Sequence, residues 1–124
     1  MSKDIRFRMS RRHEDDLVAV LGGYRTRGSG SQWRDQMDGR HNRMTRQFAF
    51  AWDGKATLGK SVGVTREMWA KAVEQAGGER PLLALRWYDN ERLDVGDDLV
   101  VLSLHDFAEL LEMVNAQPDA PGIE

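Results

Sequence analysis

Asp53 and Lys55 stand two residues apart in the stretch FAFAWDGKAT, residues 48–57. On an unbroken strand they share one face, roughly 7 Å apart at the backbone. A carboxylate can hold a hard divalent cation, and an ammonium can offset charge on an anion under attack. Asp53-Gly54 is also a dipeptide that favours a tight hairpin. A hairpin would set Trp52 against Lys55 and Phe50 against Thr57, mixing large apolar with polar groups on each face. A continuous strand instead gives one face of Phe48, Phe50, Trp52, Gly54, Ala56 and Leu58, and another of Ala49, Ala51, Asp53, Lys55 and Thr57. Clean alternation of period two favours the continuous strand, and the hairpin stands as the weaker alternative. Ala49 and Ala51 leave room beside the acid and the amine, and Gly54 admits another backbone or a ligand. With no further acids nearby, the pair would be a surface ion pair worth less than ~1 kcal/mol.

The elements that must position this pair follow from pattern. HEDDLVAVLG, residues 13–22, predicts a helix with acids in its first turn, where the helix dipole favours them. It places Glu14 one turn before Leu17 and Val18. Residues 24–46 hold three glycines and six arginines with little periodicity, and predict a basic loop with a short strand near Asp38. Residues 64–78 predict a helix capped by Thr65, with Met68, Trp69, Ala72, Val73 and Ala76 as its stripe and Gly77-Gly78 closing it. PLLALRWYD (81–89) predicts a central strand and DDLVVLSL (97–104) another. A last helix is expected at 105–114, with Phe107, Leu110, Leu111 and Val114 on one side. The step from the strand near 48 through a helix to the strand near 82 is a βαβ crossover, hence a parallel pair. The fold class is α/β, a small mixed sheet flanked by helices, in one domain over 1–114 with a tail at 115–124.

Composition narrows the setting. The 124 residues carry a net charge of −2, yet the total conceals an asymmetry. From Tyr24 to Lys60 there are eight Lys or Arg against three Asp, and from Asp106 onward five acids and no base. A basic middle fits a polyanionic partner, and equally a solvated basic surface. There are no cysteines, which excludes disulfides and thiolate metal sites and suits a cytoplasmic chain. The start MSKDIRFRMSRR lacks the apolar core of a signal peptide, and no apolar run approaches a membrane span. His13, His41 and His105 show no zinc-site spacing. Trp33 could stack on an exposed base or plug the core, whereas Trp69 and Trp87 fall on apolar stripes and are expected in the core.

Five pieces then fall in a telling order: Glu14 in the first helix, RTRGSG at 25–30, Asp38, DGKAT at 53–57, and GGERPLLALRW at 77–87. The set resembles the archaeal-type and phage Holliday-junction resolvases of the PD-(D/E)XK nuclease superfamily, over roughly residues 14–107. The resemblance implies a restriction-endonuclease-like fold and a metal-dependent endonuclease acting on branched DNA, in recombination or repair in a prokaryotic or phage-infected cell. It implies Mg²⁺, with Mn²⁺ able to substitute, held by Asp38 and Asp53 with Glu14 supporting. Lys55 would orient the attacking water or stabilise charge at the phosphate, completing a catalytic set of Glu14, Asp38, Asp53 and Lys55. Arg25, Arg27, Ser29, Gly30, Thr57 and Lys60 would bind the DNA backbone, and a homodimer would present two active sites to a four-way junction. Two departures stand out. The second motif reads QMDGRH, so Asp35 competes with Asp38, and the third begins with Asp53 where Glu is commoner. The same residues would also serve a nickase, a flap or single-strand nuclease, or a catalytically silent DNA-binding module. A plain α/β interaction protein with a surface ion pair is the alternative from another class.

Overall fold

The computed structural model describes residues 3–22, 24–25, 39–40 and 49–116. The elements run α1 (Lys3–Leu21), β1 (Tyr24–Arg25), β2 (Gly39–Arg40), β3 (Phe50–Thr57), α2 (Arg66–Ala76), β4 (Arg80–Tyr88), β5 (Val95–Val101) and α3 (Leu104–Asn115). The strands form one mixed sheet in the order β1-β2-β3-β4-β5. The expected α/β class, a small mixed sheet flanked by helices, is what the chain adopts.

β3 runs unbroken through Asp53-Gly54, so alternation prevails over the turn dipeptide. β3 and β4 pair in parallel with Asp53 beside Leu83 and Lys55 beside Leu85, as a βαβ crossover requires. β2 and β5 pair antiparallel on either side.

Each face of the sheet carries its own helix. Phe50, Trp52, Leu82 and Ala84 pack against Leu17, Val18 and Leu21 of α1. Ile5 and Met9 of α1 continue that layer against Tyr88 and Leu93. On the opposite face Ala51 packs on Ala76, and Leu83 and Leu85 pack on Ala72, with Met68 and Trp69 beside them. α2 starts where predicted: the Thr65 hydroxyl accepts from the Met68 N–H, and Gly77 closes the helix in the left-handed conformation that glycine tolerates (φ 61°).

Two boundaries differ from expectation. α1 begins ten residues earlier than the predicted 13–22. Ile5, Met9 and His13 recur every fourth residue and are buried, while Asp4–Arg8 and Arg12–Asp16 ion pairs link successive turns. β5 ends at Val101, because Ser103 caps α3 by accepting from the Asp106 N–H and so draws Leu104 into the helix. α3 turns its Asp106 side toward the body. Arg80 binds Asp106 at 2.7 Å and Glu109 at 2.7 Å, leaving Phe107, Leu111 and Val114 exposed. Among the described residues no helix is long and apolar enough to cross a membrane.

Candidate functional site

Asp53 and Lys55 project from the α2 face of β3, because they share the phase of Ala51, which packs on Ala76 of α2. The Lys55 ammonium lies 3.5 Å from the Asp53 carboxylate, and their side chains are 43% and 24% exposed. Leu83 and Leu85 flank them on the β4 side. On the other side the chain enters β2 at Gly39, directly opposite Trp52, the residue before Asp53. An acid and an amine therefore sit half-buried near the middle of a sheet, with Ala51, Leu83 and Leu85 as their neighbours on that face.

Gly54, between them, points the other way. A Cβ there would stand 3.2 Å from the His13 Nδ1 and 3.4 Å from a Leu17 methyl. The glycine serves the close approach of α1 to the sheet, not a turn.

Behind the pair, on the α1 face, lies a cluster that sequence reasoning missed. Arg86 is buried in the centre of β4. Its Nε and Nη2 donate to the two oxygens of Asp98 at 2.6 and 2.9 Å, and its Nη1 donates to Asp16 at 2.7 Å and to the Tyr88 hydroxyl at 3.2 Å. The guanidinium also stands 5.3 Å from the Tyr88 ring centroid, and the Tyr88 hydroxyl donates to the Met9 carbonyl at 3.1 Å. The hydrogen bonds that Arg86 donates to Asp98 hold the Arg86 pKa above its ordinary value, and the same bonds hold Asp98 below its own. His13, 2% exposed, completes the cluster. Burial, reinforced by the nearby Arg86 charge, lowers its pKa to about 4, so it is neutral at pH 7. Its Nε2 has no hydrogen-bond partner among the described residues. A cavity of about 180 Å³ opens beside His13, Asp16, Arg86 and Asp98. The signal in the sequence was an arginine inside PLLALRWY: a charge in a central strand must be met by carboxylates.

The remaining predicted residues are placed as follows. Glu14 stands half-buried on α1, in the layer opposite Asp53 and Lys55. The structure therefore brings Asp53 and Lys55 together and sets Glu14 across the sheet from them. Thr57 ends β3, and its hydroxyl accepts from the Gly59 N–H at 2.9 Å. Lys60 is exposed in the loop that follows. The Arg25 backbone pairs with Gly39. Asp35, Asp38, Arg27, Ser29, Gly30, Trp33, His41 and the tail from residue 117 lie outside the described residues. Trp69 lines the α2 core as expected, and Trp87 is only half-buried.

Among the described residues no three His, Cys, Asp or Glu gather closely enough to hold a metal ion. What they offer a cation is the single carboxylate of Asp53, with an ammonium beside it. No family model matches the chain, and no curated protein and no solved structure does either.

Proposed function

We propose that the chain is a metal-dependent DNA endonuclease of the PD-(D/E)XK type, cutting branched DNA as a Holliday-junction resolvase. One observation carries the reading. Asp53 and Lys55 lie 3.5 Å apart on the same face of an unbroken central strand, beside the point where the chain enters β2. The arrangement fits phosphodiester hydrolysis, which needs a carboxylate for a hard cation and a positive charge near the phosphate.

In this reading Asp53 would contribute one carboxylate to a Mg²⁺ site and Asp38 a second, which suits a cation that needs only one or two protein carboxylates. The bound cation supplies Lewis acidity and a more acidic water. Lys55 would orient an attacking water and offset charge at the scissile phosphate while the water oxygen bonds to phosphorus, the phosphorus–oxygen bond to the leaving sugar breaks, and the sugar oxygen takes a proton from solvent. Glu14, on the opposite layer, is assigned no step. Arg25, Arg27, Ser29, Gly30, Thr57 and Lys60 hold the DNA backbone, and a homodimer presents two such sites to the junction.

The test offers labelled four-way junction, flap, single-stranded and linear duplex DNA to the purified protein with Mg²⁺, Mn²⁺ or EDTA. Paired, metal-dependent nicks near the junction centre, lost in Asp53→Ala and in Lys55→Ala, are the expected result. Preference for flaps or single strands would keep the site and change the substrate. Binding without cleavage under every metal would leave a DNA-binding module on a nuclease-like fold.

A further inference from the structure

Trp87 belongs to the face of the sheet that carries Asp53 and Lys55. It shares the phase of Leu83 and Leu85 on β4, and it pairs in register with Thr57, two residues beyond Lys55 on β3. Its backbone therefore stands about 8 Å from that of Lys55, one strand across and two residues along. Sequence pattern places it in the core, yet it joins none of the apolar clusters among the described residues. α2 covers Leu83 and Leu85 through Ala72, Met68 and Trp69, and Trp87 is left outside that contact. Its neighbours across the sheet are polar on both sides, Thr57 on β3 and Asp97 on β5.

The indole is half-buried, and its N–H is at the buried edge: Nε1 has no hydrogen-bond partner among the described residues. A buried donor without an acceptor costs stability. A side chain needed only for packing would serve better as phenylalanine or leucine, which bring no donor to satisfy. With the N–H edge turned in, what remains exposed is ring surface without a donor. Such a surface reads no hydrogen-bonding pattern, but any base can stack on it, since every base has a π-face. A ring one row from an ammonium also matches the build of a nucleotide chain: the ring takes a base while Lys55 meets the phosphate beside it.

We propose that Trp87 is a stacking platform for an unstacked base of the DNA strand held at the Asp53–Lys55 pair. The inference rests on the nuclease reading above and deepens it, because it names what the site requires of its substrate. Bases in an intact duplex are stacked on one another and do not reach a ring on the sheet. An open junction centre, a flap or a single strand offers bases that do. Trp87 thereby favours branched and single-stranded DNA over linear duplex, unlike charge contacts, which track any backbone.

Affinity is measured in EDTA, so that no strand is cut, by fluorescence anisotropy of labelled four-way junction, single-stranded and linear duplex DNA. The unaltered chain is compared with Trp87→Leu and Trp87→Phe. Trp87→Leu is expected to weaken junction and single-strand binding about tenfold, at low and high salt alike, and to leave duplex binding within about twofold. Trp87→Phe, which keeps a ring, should recover most of the loss. Single-stranded DNA should also quench the intrinsic fluorescence of the unaltered chain more than that of Trp87→Phe, a readout that a purely structural tryptophan would not move. Circular dichroism checks that both variants are folded, and should Trp87→Leu fail to fold, the quenching comparison decides alone. Folded variants that bind all three DNAs as the unaltered chain does overturn the proposal, and so does a loss equal on duplex and single strand. Failure here is distinct from failure of the nuclease reading: DNA bound and cut regardless of Trp87 removes the platform only, whereas a chain that binds no DNA removes both.

Discussion

The two faces of the sheet treat charge in opposite ways. On the α1 face, Arg86 is 6% exposed at its side chain and its guanidinium donates four hydrogen bonds, to Asp98, Asp16 and Tyr88. On the α2 face, Asp53 and Lys55 meet each other at 3.5 Å and remain half-exposed. A buried charge needs this saturation merely to be tolerated, since an unmet ion in the interior costs several kcal/mol. A half-exposed pair needs no such support and keeps donor and acceptor capacity for something else. The more elaborate cluster is thus the structural one, and the sparser pair is the candidate for chemistry.

The comparison can be broken at several points. The largest stability effect is expected from the joint Asp16→Asn and Asp98→Asn change, which leaves the Arg86 charge buried without counter-ions. A loss of about 3 kcal/mol is expected in urea unfolding, at the lower end for such pairs because both carboxylates are partly exposed. A loss below 1 kcal/mol would mean that the cluster is not structural.

Acid should act on the same face. His13 has a folded pKa of about 4 against 6.5 when exposed. Between these values the unfolded chain takes up a proton that the folded chain refuses, so stability falls as pH drops from 6.5 to 4, by about 3 kcal/mol at most. Asp98 acts in the same direction, its contribution vanishing as pH falls through its lowered pKa. Unfolding followed across this range should show the slope, and His13→Leu should flatten it.

Gly54→Ala probes the contact between the faces. Its methyl would press on His13 and Leu17, at 3.2 and 3.4 Å, and should cost about 1–2 kcal/mol. The smallest stability effect belongs to Lys55→Ala, less than ~1 kcal/mol, because the pair it breaks is partly solvated. Its effect on cleavage should be the greatest of the series.

Much of this arrangement was legible in the sequence because it is local. Period-two alternation identified β3 and both residues of the pair. Thr65 and Gly77 marked α2, and the crossover implied the parallel pairing of β3 and β4. What escaped depended on distant partners. Ile5 and Met9 are isolated apolar residues among charges, and only their packing on Tyr88 and Leu93 reveals the first half of α1 as helix. The partners of Arg86 come from 12 and 70 residues away, beyond any spacing rule. The apolar stripe of α3 was legible, but not the way it faces: Arg80 holds the helix by its Asp106 and Glu109 side, and Phe107, Leu111 and Val114 are exposed.

The most direct test of the central claim measures two quantities on Lys55→Ala: its unfolding free energy and its rate of Mg²⁺-dependent junction cleavage. The account predicts stability within ~1 kcal/mol of the unaltered chain, with cleavage reduced by about two to four orders of magnitude. Retained cleavage in a fully folded Lys55→Ala variant would contradict it, and would return the Asp53–Lys55 pair to an ordinary surface contact.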